Sequence, residues 1–192
     1  SLPPSRSPWA SVIKSPAWPK TALWGAVFVM PFRGILGAHP LTCGANTVLK
    51  GKDVAQQSFL GVAFHFVDWT TYEAVYFRPF NFRAPGEEQR AHAVQYVAHP
   101  TYTWQRLRAE HPGRYEAALE PAPNPDGWFH ARIVLAGGRV AVYVNGAAQP
   151  SLVVDDLGEA PSGGVALWVG NGSDGAFADL TVTRSVSDFP RL

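Results

Sequence analysis

Cysteine is nearly absent from this chain, since Cys43 is the only one among 192 residues. A single cysteine excludes an internal disulfide and a multi-cysteine metal site. An excess of one charge is also lacking, because 16 Lys and Arg residues stand against 15 Asp and Glu residues. This balance gives no global field that would attract nucleic acid or an anionic membrane, so neither is expected as a partner.

Long apolar runs are missing as well. The most apolar stretch, residues 23–36, is interrupted by Pro31 and Arg33 and is too short to span a bilayer. We predict that the proline-rich residues 1–45 are irregular, with residues 23–36 forming an edge strand or a poorly fitting extension. A signal peptide, or a lipoprotein cleavage box ending at Cys43, is the alternative interpretation.

Aromatic residues, glycine and proline are abundant. Seven Trp, six Tyr and eleven Phe accompany 18 Gly and 17 Pro. This mixture favours many short strands with tight connections over long helices. A length of 192 residues suits one domain with a sizeable core.

The clearest strand pattern lies in residues 58–78. Apolar residues alternate there with others on both sides of the turn at residues 68–71, which is typical of a half-buried hairpin. A second hairpin is predicted around Gly137-Gly138, and a short helix is predicted over residues 104–110. About nine strands in residues 46–186 indicate a two-sheet antiparallel β-sandwich of the jelly-roll type. Its predicted core includes Phe64, Phe66, Val75, Phe77, Val134, Val142, Leu167 and Phe177.

Four segments near the end of the chain resemble the closing strands of the concanavalin A-like lectin/glucanase superfamily. They read WFHARIVL, RVAVYVNG, PSLVVDDL and GGVALWVGNGSDGAFADLTV. The earlier FLGVAFH and YEAVYFRP are similar to its bacterial branch of 3-keto-disaccharide hydrolase-like proteins. The resemblance implies an all-β sandwich that binds a saccharide or glycoside on a concave sheet face. It also implies a carbohydrate-associated function, and a periplasmic or secreted location is favoured.

Candidate ligand-binding residues on the strands lie on the rows opposite the apolar rows. Tyr102 and Trp104 lie in the long connection, where they either provide an aromatic platform over the sheet or only pin the connection to the sandwich. If Phe64 and Phe77 face the core, the polar residues next to them in sequence face outward, where planar donors and aromatic planes suit polyhydroxylated ligands. A structural role is the alternative, such as an ion pair between Arg78 and Glu73 or Glu87. The predicted site residues are His65, Tyr76, Arg78, Gln95, Tyr102 and Trp104.

Signals for catalysis and for metal binding are weaker. Laminarinase-type hydrolases carry Glu-x-Asp-x-Glu on one strand, and no such run exists here. Glu73 is the candidate catalytic carboxylate, although a buried, Arg-paired structural role is the preferred interpretation. No cofactor is expected, with Ca²⁺ at Asp155 and Asp156 as the alternative. Three functions stay open: saccharide binding, glycoside hydrolysis and laminin-G-like protein interaction.

Overall fold

The computed structural model describes residues 11–14, 26–28, 42–51, 59–160, 162–170 and 173–185. In chain order its strands are β1 (Ser11–Lys14), β2 (Ala26–Phe28), β3 (Thr42–Gly51), β4 (Leu60–Phe66), β5 (Tyr72–Phe77), β6 (Val94–His99), β7 (Glu116–Ala117), β8 (Phe129–Ala136), β9 (Arg139–Val144), β10 (Leu152–Asp155), β11 (Gly164–Val169) and β12 (Asp174–Ser185). The helices are α1 (Glu87–Ala91) and α2 (Trp104–Glu110), with a 3₁₀ turn at Pro79–Asn81. In the described part of the chain, no helix is long and apolar enough to cross a membrane.

The strands form two six-stranded antiparallel sheets. Sheet I has the order β1-β12-β3-β8-β9-β10, and sheet II has the order β2-β11-β4-β5-β6-β7. Phe77 of sheet II meets Phe129 of sheet I edge to face at 5.2 Å between ring centroids. The side of sheet II that carries Phe77 is therefore the interior of the sandwich. The predicted two-sheet antiparallel sandwich is confirmed.

Most of the predicted core residues lie in the main buried cluster, namely Phe64, Val75, Phe77, Val142, Leu167 and Phe177. Val134 is buried in a separate, smaller cluster with Ala141 and Tyr143. It pairs with Ala141, whereas Val142 pairs with Ile133, so Val134 and Val142 lie on opposite faces of sheet I. Phe66 is only partly buried, and its prediction as a core residue is wrong.

A β-bulge near the end of β4 explains the position of Phe66. Opposite β11, Ala63 pairs with Ala166 and Phe66 pairs with Gly164, so two residues of β4 face only one of β11. His65 takes a left-handed backbone with φ of 45°, a conformation that His adopts more readily than most residues. The extra residue reverses the alternation, because side chains alternate with a period of two. Phe66 therefore contacts Trp69 and Tyr72 on the outer side of the sheet.

The N-terminal region differs from the predicted irregular segment at β1, whereas β2 agrees with the edge strand predicted within residues 23–36. Ser11–Lys14 pairs with β12 at one edge of sheet I, and Ala26–Phe28 pairs with β11 at one edge of sheet II. In addition, β3 begins at Thr42, inside the region predicted to be irregular. A strand of three or four residues is stabilised by its hydrogen bonds to a neighbouring strand. The alternation of residues within so short a segment does not reveal that pairing. The remaining residues of 1–41 lie outside the described residues.

Helix α2 is confirmed over the predicted residues. Thr103 caps its N-terminus, and its hydroxyl accepts a hydrogen bond from the Arg106 amide at 3.4 Å. Leu107 is buried in the core, which fixes the helix beside β6. This packing holds Trp104 and Arg108, one turn apart, at the outer side of sheet II.

Candidate functional site

A cavity of about 250 Å³ opens on the outer side of sheet II, away from the sandwich interior. Its walls come from β5, β6, β11, α2 and the residues flanking β4 and β11. We call it the sheet II groove. The residues that line it are Phe59, Tyr76, Arg78, Gln95, Val97, His99, Trp104, Arg108, Trp168 and Gly170.

The strand register explains why these side chains share one surface. Tyr76 of β5 pairs with Gln95 of β6, and directly opposed residues point to the same side of a sheet. Gln95, Val97 and His99 follow at intervals of two along β6 and form one row. Tyr76 and Gln95 lie opposite in parity to Phe77 and Val94, which face the interior. The groove therefore lies on the face of sheet II opposite the apolar, interior face.

Aromatic rings form the floor of the groove. The Tyr76 ring stacks on Trp168 with 4.9 Å between centroids and 19° between planes, and Phe59 meets Tyr76 edge to face at 6.0 Å. Trp104 contributes a further ring from α2. Stacked rings of this kind present a flat apolar face with little rotational freedom.

The polar groups of the floor are held by buried hydrogen bonds. The Tyr76 hydroxyl donates to Oε1 of Gln95 at 2.7 Å, and both residues are buried. Burial chiefly raises the pKa of the Tyr76 phenol, so it remains a hydrogen-bond donor near neutral pH. His99 stacks on Tyr72 at 4.9 Å, and burial lowers its pKa, which favours the neutral imidazole.

Two arginines of the groove have different surroundings. Arg108 lies over the Trp104 ring and forms a bidentate ion pair with Glu116, with N–O distances of 3.1 and 2.5 Å. Arg78 lies over the Phe59 ring, with its guanidinium carbon 5.2 Å from the centroid. Within the described residues, no oxygen accepts a hydrogen bond from the Arg78 guanidinium. The proposed pairing of Arg78 with Glu73 or Glu87 is therefore absent there.

His65 does not join the groove, which contradicts its predicted position. Because of the bulge, its ring lies on the interior side of sheet II, where Nδ1 is 2.5 Å from Oε1 of Glu73. The Tyr96 hydroxyl donates to the other oxygen of Glu73 at 2.5 Å and accepts from the Leu157 amide at 2.8 Å. We call His65, Glu73, Tyr96 and Asp156 the carboxylate cluster.

Glu73 is the centre of the carboxylate cluster and is only 2% exposed. Burial chiefly raises its pKa and Asp156 acts in the same direction, while the hydrogen bonds from His65 and Tyr96 oppose them. Burial alone would lower the pKa of His65, but the hydrogen bond and charge of Glu73 outweigh it, so that pKa is raised. Glu73 is buried as expected, but its partners are His65 and Tyr96 instead of an arginine.

The carboxylate cluster also contains the residues that come nearest to a metal-ligand set in the described chain. One ligand atom each from His65, Glu73 and Asp156 lies within 4.8 Å of the others. The short contact between His65 and Glu73 leaves no space for an ion between those two atoms. Asp155, the other residue considered for Ca²⁺, instead accepts a hydrogen bond from Arg114, and Asp156 accepts one from the Gly158 amide at 3.0 Å.

The groove contains four of the six predicted ligand residues, Tyr76, Arg78, Gln95 and Trp104. Tyr102 lies outside the lining and packs under the guanidinium of Arg106, 5.1 Å from its ring. Trp168, His99 and Arg108 also line the groove, although the sequence pattern did not predict them. Trp168 follows the interior residue Leu167 on its strand, so the alternation of side chains could have placed it on the outer face. Arg108 lies four residues after Trp104, so helical spacing could have placed the two side by side.

Comparisons with known proteins identify the fold. No protein-family model matches the sequence, and no curated protein is similar to it. The carbohydrate-binding module CBM66 from Bacillus subtilis superposes with a TM-score of 0.51 at 11% identity, covering 73% of this chain and 74% of that one. The alginate lyase AlgAT5 of polysaccharide lyase family 7 gives 0.48 at 14% identity over 92% and 79% of the two chains. The lumenal domain of VIP36 gives 0.48 at 8% identity over 88% and 86%. The two six-stranded antiparallel sheets and the superposition on CBM66 establish that the protein has a jelly-roll β-sandwich fold.

Proposed function

We propose that the protein binds a saccharide in the sheet II groove. The observation that carries this proposal is the combination, in one cavity, of the Tyr76–Trp168 stack with the hydrogen-bonding groups of Arg78 and His99. A sugar ring presents C–H groups on its face and hydroxyls on its edge. It therefore needs an aromatic plane below it and fixed donors and acceptors beside it.

The size and rigidity of the groove support a small ligand. At about 250 Å³ the cavity is slightly smaller than the range of roughly 300–1,000 Å³ for ligand pockets, which suits one sugar ring with the neighbouring sugars outside. The buried Tyr76–Gln95 hydrogen bond fixes the floor before a ligand arrives, so little side-chain freedom is lost on binding. The Bacillus subtilis protein CBM66, which superposes on this fold, is itself named a carbohydrate-binding module, and the proposed ligand is of the same chemical class.

The position of the carboxylates favours binding over hydrolysis. Glycoside hydrolysis needs two carboxyl groups flanking the scissile bond, and none of the described residues lining the groove is acidic. Glu73 lies on the other side of sheet II, because it pairs with Phe64 and Ala98 of the interior row. A ligand in the groove therefore does not contact Glu73.

The test is a glycan screen followed by calorimetric titration of the best ligand into wild type and Trp104→Ala. We expect at least a tenfold loss of affinity in the variant, because one aromatic wall of the groove is removed. Trp69→Ala is the matched control. Trp69 is 60% exposed in the β4–β5 turn, does not line the groove, and its variant should bind as wild type does.

Other outcomes would separate the alternatives. Release of reducing ends from the bound glycan would favour a hydrolase, and Glu73→Gln would then have to abolish that release. Failure of every glycan to bind at millimolar concentration would overturn saccharide binding and favour the laminin-G-like protein interaction. Equal affinity of wild type and Trp104→Ala, with both folded, would place the sugar outside the groove.

A further inference from the structure

We propose that the saccharide bound in the sheet II groove is acidic and that Arg78 binds its carboxylate. This inference rests on the proposed function and adds the chemical class of the ligand. The two arginines of the groove each lie over an aromatic ring but differ in whether a carboxylate pairs with them. Arg108 and Arg78 each lie over an aromatic ring at 5.2 Å, yet only Arg108 has a carboxylate, Glu116, as its partner.

The guanidinium of Arg78 is partly removed from water without a compensating anion among the described residues. Burial lowers the pKa of Arg78, and the like charge of Arg108 also lowers it, while Tyr76 and Glu116 oppose that change. Arginine nevertheless stays protonated at neutral pH. A half-buried cation with open donors is therefore the strongest unmatched charge in the groove, and an incoming anion would compensate it.

The rest of the lining points to the same sign of ligand charge. None of the described lining residues is acidic, and Glu116, which does not line the groove, already accepts both hydrogen bonds from Arg108. A neutral sugar could use Arg78 through a pair of adjacent hydroxyls. A carboxylate fits the planar guanidinium with two parallel, charge-assisted hydrogen bonds, which are roughly twice as strong as neutral ones.

The position of Arg78 suits a carboxylate at the edge of a sugar ring. It follows β5 directly after Tyr76 and Phe77, so its support on Phe59 lies beside the Tyr76–Trp168 stack. A ring that stacks on that floor extends its substituents sideways towards the guanidinium. Uronic acids carry their carboxylate at such a ring substituent, in place of the hydroxymethyl group of the neutral hexose.

The experiment compares methyl glycosides of matched sugars, each as the hexose, the uronic acid and the hexose 6-sulfate, in the gluco, galacto and manno series. Binding is measured by protein-observed NMR titration on wild type at low and high salt. For at least one series we expect the uronate to bind at least tenfold more tightly than the neutral sugar. We also expect this preference to shrink at high salt, because it is electrostatic.

Variants assign the preference to one side chain. Arg78→Gln should reduce uronate affinity to that of the neutral sugar, and Arg78→Lys should keep part of the preference. Arg106→Gln removes an equal charge from α2 outside the groove and should leave the preference unchanged. Thermal unfolding of each variant confirms that the fold is kept.

Four results would overturn the inference. Neutral and acidic sugars bound equally by wild type would refute it while leaving the proposed saccharide binding intact. A preference that survives Arg78→Gln would place the carboxylate elsewhere, and tighter binding of the sulfate than of the uronate would make sulfate the ligand group. Failure of all sugars to bind would overturn the proposed function together with this inference.

Discussion

Gly158 is the residue whose substitution most directly tests the packing of the carboxylate cluster. A Cβ at this position would lie 1.9 Å from Oε1 and 2.3 Å from Cδ of Glu73. Glu73 cannot swing away freely, because His65 and Tyr96 hold its two oxygens at 2.5 Å. Gly158→Ala therefore forces the loop after β10 away from sheet II or breaks these hydrogen bonds.

The expected loss of stability follows from these two possibilities, a displaced loop or broken hydrogen bonds. Overpacking a well-packed site costs about 1–3 kcal/mol, and losing a hydrogen bond to a charged group costs about 1.5–3 kcal/mol. We expect Gly158→Ala to lower the free energy of unfolding by about 2–4 kcal/mol. Gly113→Ala is the control, since Gly113 has nothing within 4 Å of a new Cβ but a left-handed φ of 72°. That backbone alone costs about 1–2 kcal/mol.

A double-mutant cycle identifies the cause. Urea unfolding followed by tryptophan fluorescence gives the free energy for wild type, Gly158→Ala, Glu73→Ala and the double variant. If the clash is with Glu73, Gly158→Ala should cost less than about 1 kcal/mol when Glu73 is already Ala, a coupling in the range known for contacting residues. The same cost in both backgrounds, or a cost no larger than that of Gly113→Ala, would refute the proposed clash.

Three further measurements test other parts of the structure. Phe64→Ala should cost about 3–5 kcal/mol in urea unfolding, and Phe66→Ala should cost clearly less because the bulge leaves Phe66 half-buried; equal costs would contradict the bulge. Folding raises the pKa of both Glu73 and His65 from ordinary values of 4.5 and 6.5, so their stabilising contribution is complete at low pH and is lost as the pH rises through the folded values. The free energy of unfolding should thus fall as the pH is raised above 6.5, and His65→Asn should make that fall smaller. An increase of the free energy with pH would show that folding does not raise the pKa of His65. Thr103→Ala should remove the N-cap of α2 at a cost of about 1 kcal/mol by urea unfolding, whereas no change would mean that Leu107 alone holds the helix.

Much of the fold could be predicted because its signals are local. The hairpin around Gly137-Gly138 is indicated by its turn residues, and helix α2 is indicated by its N-cap residue. Strand parity then placed Tyr76 and Gln95 on one surface, and the register of β5 with β6 agrees. Period-two alternation is a reliable guide wherever a strand is regular.

The parts that could not be predicted depend on partners distant in sequence. His65 was assigned to the wrong face because the bulge is set by the pairing of β4 with β11, about 100 residues later in the chain. Strand β1 has no periodic pattern and obtains its hydrogen bonds from β12. Whether Arg78 has a carboxylate partner in the groove likewise depends on which acidic residues the fold brings near it.

The hydroxyl of Tyr96 joins the two layers of the sandwich at one end. It donates to Glu73 on β5 and accepts the Leu157 amide from the loop that leaves sheet I. Most loop amides exchange their hydrogen with solvent whenever the loop itself moves, but this one is held by a side chain of the opposite sheet. Its exchange requires separation of that contact, so the rate at Leu157 reports on opening between the layers instead of loop motion. One backbone amide thereby provides a residue-specific measure of how tightly the end of the sandwich is closed.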